Sequence, residues 1–174
     1  GMHNDWWEVT DKNGMISIYG KNESARCCQN GMNFSWYLES VTDVNGNYME
    51  ITYKKDHNYV YPSTISYTGK DGNIGTYIVN FEYDEGGYKR TDIRIDARSG
   101  FITECHWLLT GVVVKHRKTD TVVRKYQLKY EQGLALEEKL SQITIVNRNG
   151  ENYKLSVFDL EWNNISERTL RTDS

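Results

Sequence analysis

The sequence has little of what marks linkers, membrane spans and disulfide-rich scaffolds. A single proline, Pro62, occurs in 174 residues, which excludes a proline-rich linker. No apolar run approaches the roughly 20 residues that cross a bilayer, so we expect no direct membrane insertion. The three cysteines, Cys27, Cys28 and Cys105, are an odd number and a poor disulfide framework. We expect buried or incidental thiols rather than a metal or redox site.

Neither positive nor negative charge is in large excess in the sequence. The formal net charge is -3, and acidic and basic residues are interspersed along the chain. Proteins that bind the phosphate backbone of nucleic acids usually carry a basic patch or stripe, so we expect no nucleic-acid partner. A chain of this length can bury enough surface to fold without disulfides or metals.

Aromatic residues, by contrast, are abundant. They make up 13% of the chain, with 13 Tyr and 5 Trp, and such side chains suit half-buried sheet surfaces. Apolar and polar residues alternate with a period close to two, and clusters of Gly, Asn and Asp separate the alternating segments. The pattern predicts an all-β fold, an antiparallel meander of about ten strands joined by hairpin turns. The sheet is expected to be open or partly closed and barrel-like, with at most one short helix at residues 134–140.

The turn signals predict individual elements and the domain boundary. Asn45-Gly46 is expected to be the tip of a hairpin that joins residues 36–41 to 48–53, with positive φ at both turn residues. Residues 21–32 are polar and irregular, which is typical of a loop. No composition break divides the chain, so we predict one β domain over residues 1–162 and a polar tail at 163–174. Within it, residues 102–116 are predicted to form one long strand, bent at Gly111.

No arrangement of residues indicates catalysis or a bound cofactor. No Ser-His-Asp order with a strained nucleophile turn, no Gly-x-Ser-x-Gly and no phosphate-cradling glycine loop occurs. Residues 43–47 lack the glycine position and the terminal glutamate of a calcium loop. We therefore expect no catalytic residue, no cofactor, no metal site, and structural or surface roles for the four histidines, which are His3, His57, His106 and His116.

Trp6 and Trp7 are the candidates for an interaction surface. Neighbouring residues of a strand point to opposite faces, so one of the two indoles must face outward. The five tryptophans together favour core or interface packing. The alternative is a small-ligand or glycan-binding β domain that uses exposed Trp and Tyr side chains.

An ordered set of motifs carries a resemblance to a known family. The motifs are the Trp7 to Gly20 segment, Trp36-Tyr37-Leu38, Asp43 to Asn47, Tyr53, Tyr61 to Tyr67, Trp107 to Val114, Val123 to Tyr130, Leu140 to Gly150, and Phe158 to Trp162. Together they resemble the β-rich region of the bacterial plasmid-virulence B protein and of the insecticidal toxin complex B component. Both are relatives of the RHS/YD-repeat proteins.

The resemblance implies a structural role. In that family the region helps to build a closed shell around a toxic polypeptide and carries no active site. We therefore expect a non-catalytic structural and interaction module, one section of a larger exported RHS-like surface or toxin-shell protein. Its partners would be neighbouring repeats or domains of the same polypeptide and other shell components, at the cell surface or outside the cell.

Overall fold

Strands dominate the structure, a computed structural model that describes residues 5–86, 90–133, 136–147 and 154–159. A 3₁₀ turn at Glu23–Ala25 lies between the second and third strands. In the described residues no helix has the length and apolar character that a membrane span requires. The strands are β1 (Trp7–Thr10), β2 (Ile16–Tyr19), β3 (Arg26–Gln29), β4 (Met32–Trp36), β5 (Leu38–Thr42), β6 (Asn47–Asp56), β7 (Tyr59–Lys70), β8 (Tyr77–Tyr83), β9 (Arg94–Asp96), β10 (Thr103–Cys105), β11 (Leu109–His116), β12 (Thr121–Gln132), β13 (Glu138–Asn147) and β14 (Lys154–Asp159).

Ten of these strands form one antiparallel sheet. Its order is β1-β2-β5-β6-β7-β8-β11-β12-β13-β14, so the chain runs through the sheet as a meander. The meander is interrupted twice, where β3 pairs with β4 and β9 pairs with β10 as separate two-stranded sheets. Within the strands described, β1 and β14 are the two ends of the sheet and do not pair with each other. The predicted all-β meander of about ten strands is confirmed, and the sheet is open.

Cross-strand pairs of branched and aromatic residues hold the centre of the sheet in register. Val112 of β11 lies opposite Phe81 on one side and Tyr126 on the other, and Tyr126 lies opposite Ile145. Each such pair contributes roughly 0.2–1 kcal/mol relative to Ala–Ala. The period-two alternation of the sequence therefore determines which side chains line up on one face.

Two hairpins use the same aspartate-capped turn. In each, the Oδ1 atom of the aspartate accepts the backbone N–H groups two and four residues later, at 2.8 to 2.9 Å. The aspartates are Asp11 and Asp43, and the turns end with Gly14 at φ 81° and Gly46 at φ 77°. The predicted hairpin at Asn45-Gly46 is confirmed, but positive φ at both residues is wrong, because only Gly46 has it. The loop has three residues and ends in a glycine bulge, which needs one left-handed position.

Two further local predictions differ from the structure. Residues 21–32 are not one loop, since they contain the 3₁₀ turn and β3, whose four residues are too few to display a period. Residues 102–116 are not one strand. They divide into β10 and β11 at His106 and Trp107, whose backbone N–H groups donate to the Tyr61 hydroxyl instead of to a neighbouring strand. The predicted irregularity at Gly111 is confirmed as a register shift between β8 and β11.

The expected helix at residues 134–140 is also wrong where the structure describes it. Residues 138–140 belong to β13 and pair with β12. Residues 134–135 of that stretch lie outside the described residues, as does the polar tail at 163–174. Pairing with the long strand β12 outweighs the local helix preference, which is weak over so few residues.

The hydrophobic core is small and lies at one end of the β6–β7 hairpin. Cys27, Val60 and Phe101 are buried together, with Tyr37 and Tyr53 packed against them. Val60 and Tyr53 belong to the hairpin itself, whereas the other three come from the two small sheets and their connections, which fold over it. Elsewhere the sheet is thinly covered: none of the seven residues of β8 and none of the twelve of β12 is buried. Most of the large sheet therefore lacks a second layer within the described residues.

Candidate functional site

Trp6 and Trp7 lie at the first edge of the large sheet. Trp6 is 39% exposed and Trp7 is 47% exposed, so both indoles face solvent in part. The Trp7 ring packs edge-on against Trp36 with 5.9 Å between ring centroids. The Lys21 ammonium lies 5.5 Å from the Trp6 ring, which is within cation–π range. The structure thus places both tryptophans on an accessible aromatic surface, as an interaction surface requires.

Strand β1, which begins at Trp7, forms an unprotected edge of the sheet. All four residues of β1 are exposed, and β1 pairs only with β2 among the described strands. Edge strands present unpaired backbone N–H and C=O groups, to which another strand can add. Exposed apolar side chains surround this edge, and they are Val9, Met15 and Ile16 in addition to the two tryptophans. We call β1 and these side chains the β1 edge surface.

A second group of interest joins the β6–β7 turn to the segment that follows β10. The Asp56 Oδ2 atom lies 3.0 Å from His57 Nδ1 and 3.1 Å from His106 Nδ1. The His57 and His106 rings meet edge-to-face, with 4.2 Å between centroids. The Glu104 Oε2 atom lies 2.9 Å from His106 Nε2. We call Asp56, His57, His106 and Glu104 the histidine–carboxylate cluster.

The backbone at this cluster is constrained. His57 and Asn58 form a two-residue hairpin turn with φ of 45° and 61°. Left-handed conformations are uncommon for residues other than glycine. The turn is fixed from outside, because the Glu104 backbone N–H donates to the His57 carbonyl at 3.1 Å and the Asn58 side-chain amide donates to the Ile102 carbonyl at 2.9 Å. Histidine and asparagine adopt this conformation more readily than most residues, and a two-residue hairpin turn requires it at both positions.

An aromatic cluster of Tyr61, Tyr83 and Trp107 lies next to His106. The Tyr61 ring stacks on Trp107 with 4.6 Å between centroids, and Tyr83 contacts both rings. The Tyr61 hydroxyl accepts the His106 N–H at 2.9 Å and the Trp107 N–H at 3.2 Å. The position of His106 is therefore determined by β7, which is distant in sequence from β10.

Half-buried tyrosines donate hydrogen bonds to backbone carbonyls in this part of the sheet. The Tyr53 O–H donates to the Leu38 carbonyl at 2.6 Å, and the Tyr83 O–H donates to the Pro62 carbonyl at 2.9 Å. Burial raises the pKa of Tyr53 to about 12, with Glu39 adding to the effect, and burial likewise raises the pKa of Tyr83 to about 12. Both phenols therefore keep the protons that they donate in these hydrogen bonds.

The cysteines are free thiols, as the sequence suggested. Cys27 and Cys105 are buried, and Cys28 is half-buried. Burial raises the pKa of the Cys27 thiol, and its neighbour Cys28 adds to the shift. A raised pKa lowers the thiolate fraction, which is the reactive and metal-binding form. Cys27 is therefore better suited to packing than to chemistry.

The histidine–carboxylate cluster was not predicted from the sequence, in which each histidine was expected to have a separate structural or surface role. Asp56 and His106 are separated by 50 positions in the chain, so no local spacing connects them. One signal was available: His57-Asn58 stands between two alternating runs, where a two-residue hairpin turn places the flanking residues side by side. That signal could have located the turn but not its contact with the β10 segment.

Comparison with known proteins relates the chain to virulence and toxin proteins. Residues 1–71 match the family model described as Salmonella virulence plasmid 65kDa B protein. Comparison with curated protein sequences finds no match. The fold is similar to that of the N-terminal domain of the effector protein SpvB from Salmonella typhimurium strain LT2. That similarity has a TM-score of 0.70 at 17% sequence identity, over 83% of this chain and 61% of that one.

Two toxin structures share the fold as well. The Tc holotoxin pore of Photorhabdus luminescens and the TcdB2-TccC3 structure each match with a TM-score of 0.71 at 17% identity, over 89% of this chain. The chain spans 61% of the SpvB domain and 10% of each toxin chain. The resemblance to a β-rich region of toxin and virulence proteins, predicted from the sequence, is confirmed.

Proposed function

We propose that this domain is a non-catalytic structural and interaction module, one section of a larger exported, RHS-like toxin-shell or surface protein. The single observation that carries the proposal is the thin covering of the ten-stranded sheet, in which β8 and β12 contain no buried residue. A sheet normally buries one face against another layer. Neighbouring segments of a longer polypeptide are the simplest source of that layer.

The β1 edge surface supports the same proposal. It offers unpaired backbone groups together with Trp7 and Val9, which are 47% and 48% exposed. In shells and repeat arrays, such edges pair with the next unit. The partners we propose are therefore neighbouring repeats or domains of the same polypeptide and other components of the shell. The solved toxin chains, which are about ten times longer than the matched region, support this scale of assembly.

The proposal can be tested on the full-length protein that cells produce. An antibody raised against this chain should detect a protein far larger than 20.3 kDa, in the surface or culture-supernatant fraction. Hydrogen exchange of that protein should show the amides of β1 protected relative to the 174-residue chain alone. A cellular product of about the size of this chain, or equal exchange at β1 in both proteins, would refute the proposal.

Glycan binding is the alternative, and the partial exposure of both Trp6 and Trp7 favours it as a second candidate. Exposed aromatic faces can stack on sugar rings. The matched test is a glycan array probed with the parent chain and with Trp6→Ala and Trp7→Ala. Binding that both substitutions abolish would support the alternative, whereas an array with no bound glycan supports the structural module.

A further inference from the structure

We propose that Asp56, His57 and His106 form a binding site for a divalent transition-metal ion such as Zn²⁺. Each of the three offers one ligand atom, and these atoms lie within 4.8 Å of one another. The proposal goes beyond the structural role argued above, and it departs from the sequence-based expectation of no metal site. It concerns ion binding by this chain and does not require catalysis.

The distances in the cluster are close to those of a coordination sphere. Zinc binds imidazole nitrogen and carboxylate oxygen at about 2.0–2.2 Å in a tetrahedron, which places neighbouring ligand atoms roughly 3.3 Å apart. The Asp56 oxygen already lies 3.0 Å and 3.1 Å from the two histidine Nδ1 atoms. All three ligand atoms lie within 4.8 Å of one another, so rotation of the half-exposed His57 side chain would have to bring its ring closer to His106 for the three to surround one ion.

Charge and hydrogen bonding at His106 favour a cation. Its side chain is 9% exposed, and each of its ring nitrogens lies within 3.1 Å of a carboxylate oxygen. If Nε2–H donates to Glu104, then the Nδ1 lone pair faces Asp56 Oδ2, and a proton or a metal ion must lie between these two acceptors. A carboxylate that holds the far nitrogen of a ligating histidine is a recurrent feature of zinc sites. Glu104 lies where it can accept the Nε2–H group of His106 in this way.

The backbone holds the ligands in place without an ion. The Glu104 N–H bond to the His57 carbonyl and the Tyr61 hydroxyl bond to the His106 N–H join the β6–β7 turn to the β10 segment. The fold therefore does not depend on the metal, and ion binding should add stability through mass action. His57 is 48% exposed and borders a groove of about 420 Å³, which gives an ion access from solvent.

The ligand types select the class of ion. Imidazole suits Zn²⁺, Cu²⁺, Ni²⁺ and Co²⁺, whereas Ca²⁺ and Mg²⁺ prefer sites made of oxygen ligands alone. Three protein ligands leave a fourth tetrahedral position for water or for a group from a partner. We therefore expect binding of Zn²⁺ and Co²⁺ and no response to Ca²⁺ or Mg²⁺.

The test is titration of the tag-free 174-residue chain with Co²⁺, followed by its visible absorption, and then displacement by Zn²⁺. We expect one ion per chain and a rise in melting temperature with Zn²⁺. His57→Asn and Asp56→Asn should weaken binding by at least about 100-fold, and Glu104→Gln by about 10–100-fold, the range known for outer partners of zinc ligands. Asparagine tolerates the left-handed conformation of residue 57, so His57→Asn should keep the fold.

Two control variants separate this site from other histidines. His116→Gln removes a histidine whose Nδ1 atom lies 3.0 Å from the Thr119 hydroxyl, and it should bind as the parent does. His3→Ala removes the histidine near the terminal amine, a second place where divalent ions can bind. The proposal is overturned if no Zn²⁺ binds at millimolar concentration, if His57→Asn binds as tightly as the parent, or if His3→Ala abolishes binding.

Discussion

At the scale of single residues, the hydroxyl groups of tyrosines connect segments of the described sheet, whose hydrophobic core is small. Tyr53, Tyr61 and Tyr83 each combine ring packing with a hydrogen bond to a backbone group that is distant in the sequence. Because the rings are large and the hydroxyls are satisfied, such residues can connect strands at positions that remain half-buried. The abundance of tyrosine in the sequence thus has a structural reason.

Tyr53 leads to a prediction about alkaline pH. An unfolded tyrosine has a pKa near about 10, and in the fold burial raises the pKa of Tyr53 to about 12. A raised folded pKa means that its stabilisation is complete below pH 10 and is lost as pH rises toward 12. We expect the free energy of unfolding to fall across that window, measured by urea denaturation. Tyr53→Phe should lower the free energy of unfolding by about 1 kcal/mol at pH 7. Above pH 10, the free energy of unfolding of this variant should fall less steeply than that of the parent.

Parallel decline of the parent and Tyr53→Phe would contradict this assignment. Tyrosinate absorbance recorded in the same titration reports whether the phenols ionise as the protein unfolds or before it.

At the scale of elements, the hairpins are specified by their turns. Gly46 has φ 77° and its carbonyl accepts the Asp71 N–H at 2.8 Å, which joins the β5–β6 turn to the β7–β8 connection. A β-carbon at Gly46 would press on the Asp71 side chain. We therefore expect Gly46→Val to lower the free energy of unfolding by roughly 1 kcal/mol or more, measured by chemical denaturation.

Gly72→Val is the matched control for that experiment. Gly72 has the same φ of 77°, and a β-carbon there would meet no atom within 4 Å. Gly72→Val should introduce the same backbone strain as Gly46→Val but no contact with a neighbouring side chain. We therefore expect Gly72→Val to lower the free energy of unfolding by less than Gly46→Val does. An unchanged unfolding midpoint for Gly46→Val would show that the glycine is not needed.

At the scale of the whole molecule, the exposed edge predicts association. A sheet edge with apolar side chains can pair with another copy when its natural neighbour is absent. We expect the 174-residue chain to self-associate reversibly through the β1 edge surface, and Val9→Lys to weaken this association about tenfold or more. Sedimentation velocity over a range of concentrations measures it. Lysine protects edges because a strand that pairs with it must bury the charge.

Leu136→Lys is the control for charge alone. Leu136 is 60% exposed, and it lies in the connection between β12 and β13, which are far from β1 in the order of the sheet. It should associate as the parent does. Equal weakening by both substitutions would mean that net charge, not the β1 edge, governs association.

The sequence by itself determined the class of fold and most of the hairpins. Period-two alternation and turns such as Asp43 to Gly46 act between residues that are close in the chain, and their chemistry is local. For that reason the meander of about ten strands was predictable. The left-handed conformation of Gly46 was predictable as well, but the same conformation was wrongly predicted for Asn45, because the choice between two-residue and three-residue loops depends on strand register.

Only the tertiary structure decided where distant segments meet. The 102–116 segment is divided because the Tyr61 hydroxyl, from another strand, takes the N–H groups of His106 and Trp107. The same contact brings His106 to Asp56, 50 positions earlier in the chain. Such long-range contacts arise from packing of side chains on a folded sheet, which no local pattern encodes. The exposure of β1 is likewise a property of strand order, and it is known only once every neighbour has been placed.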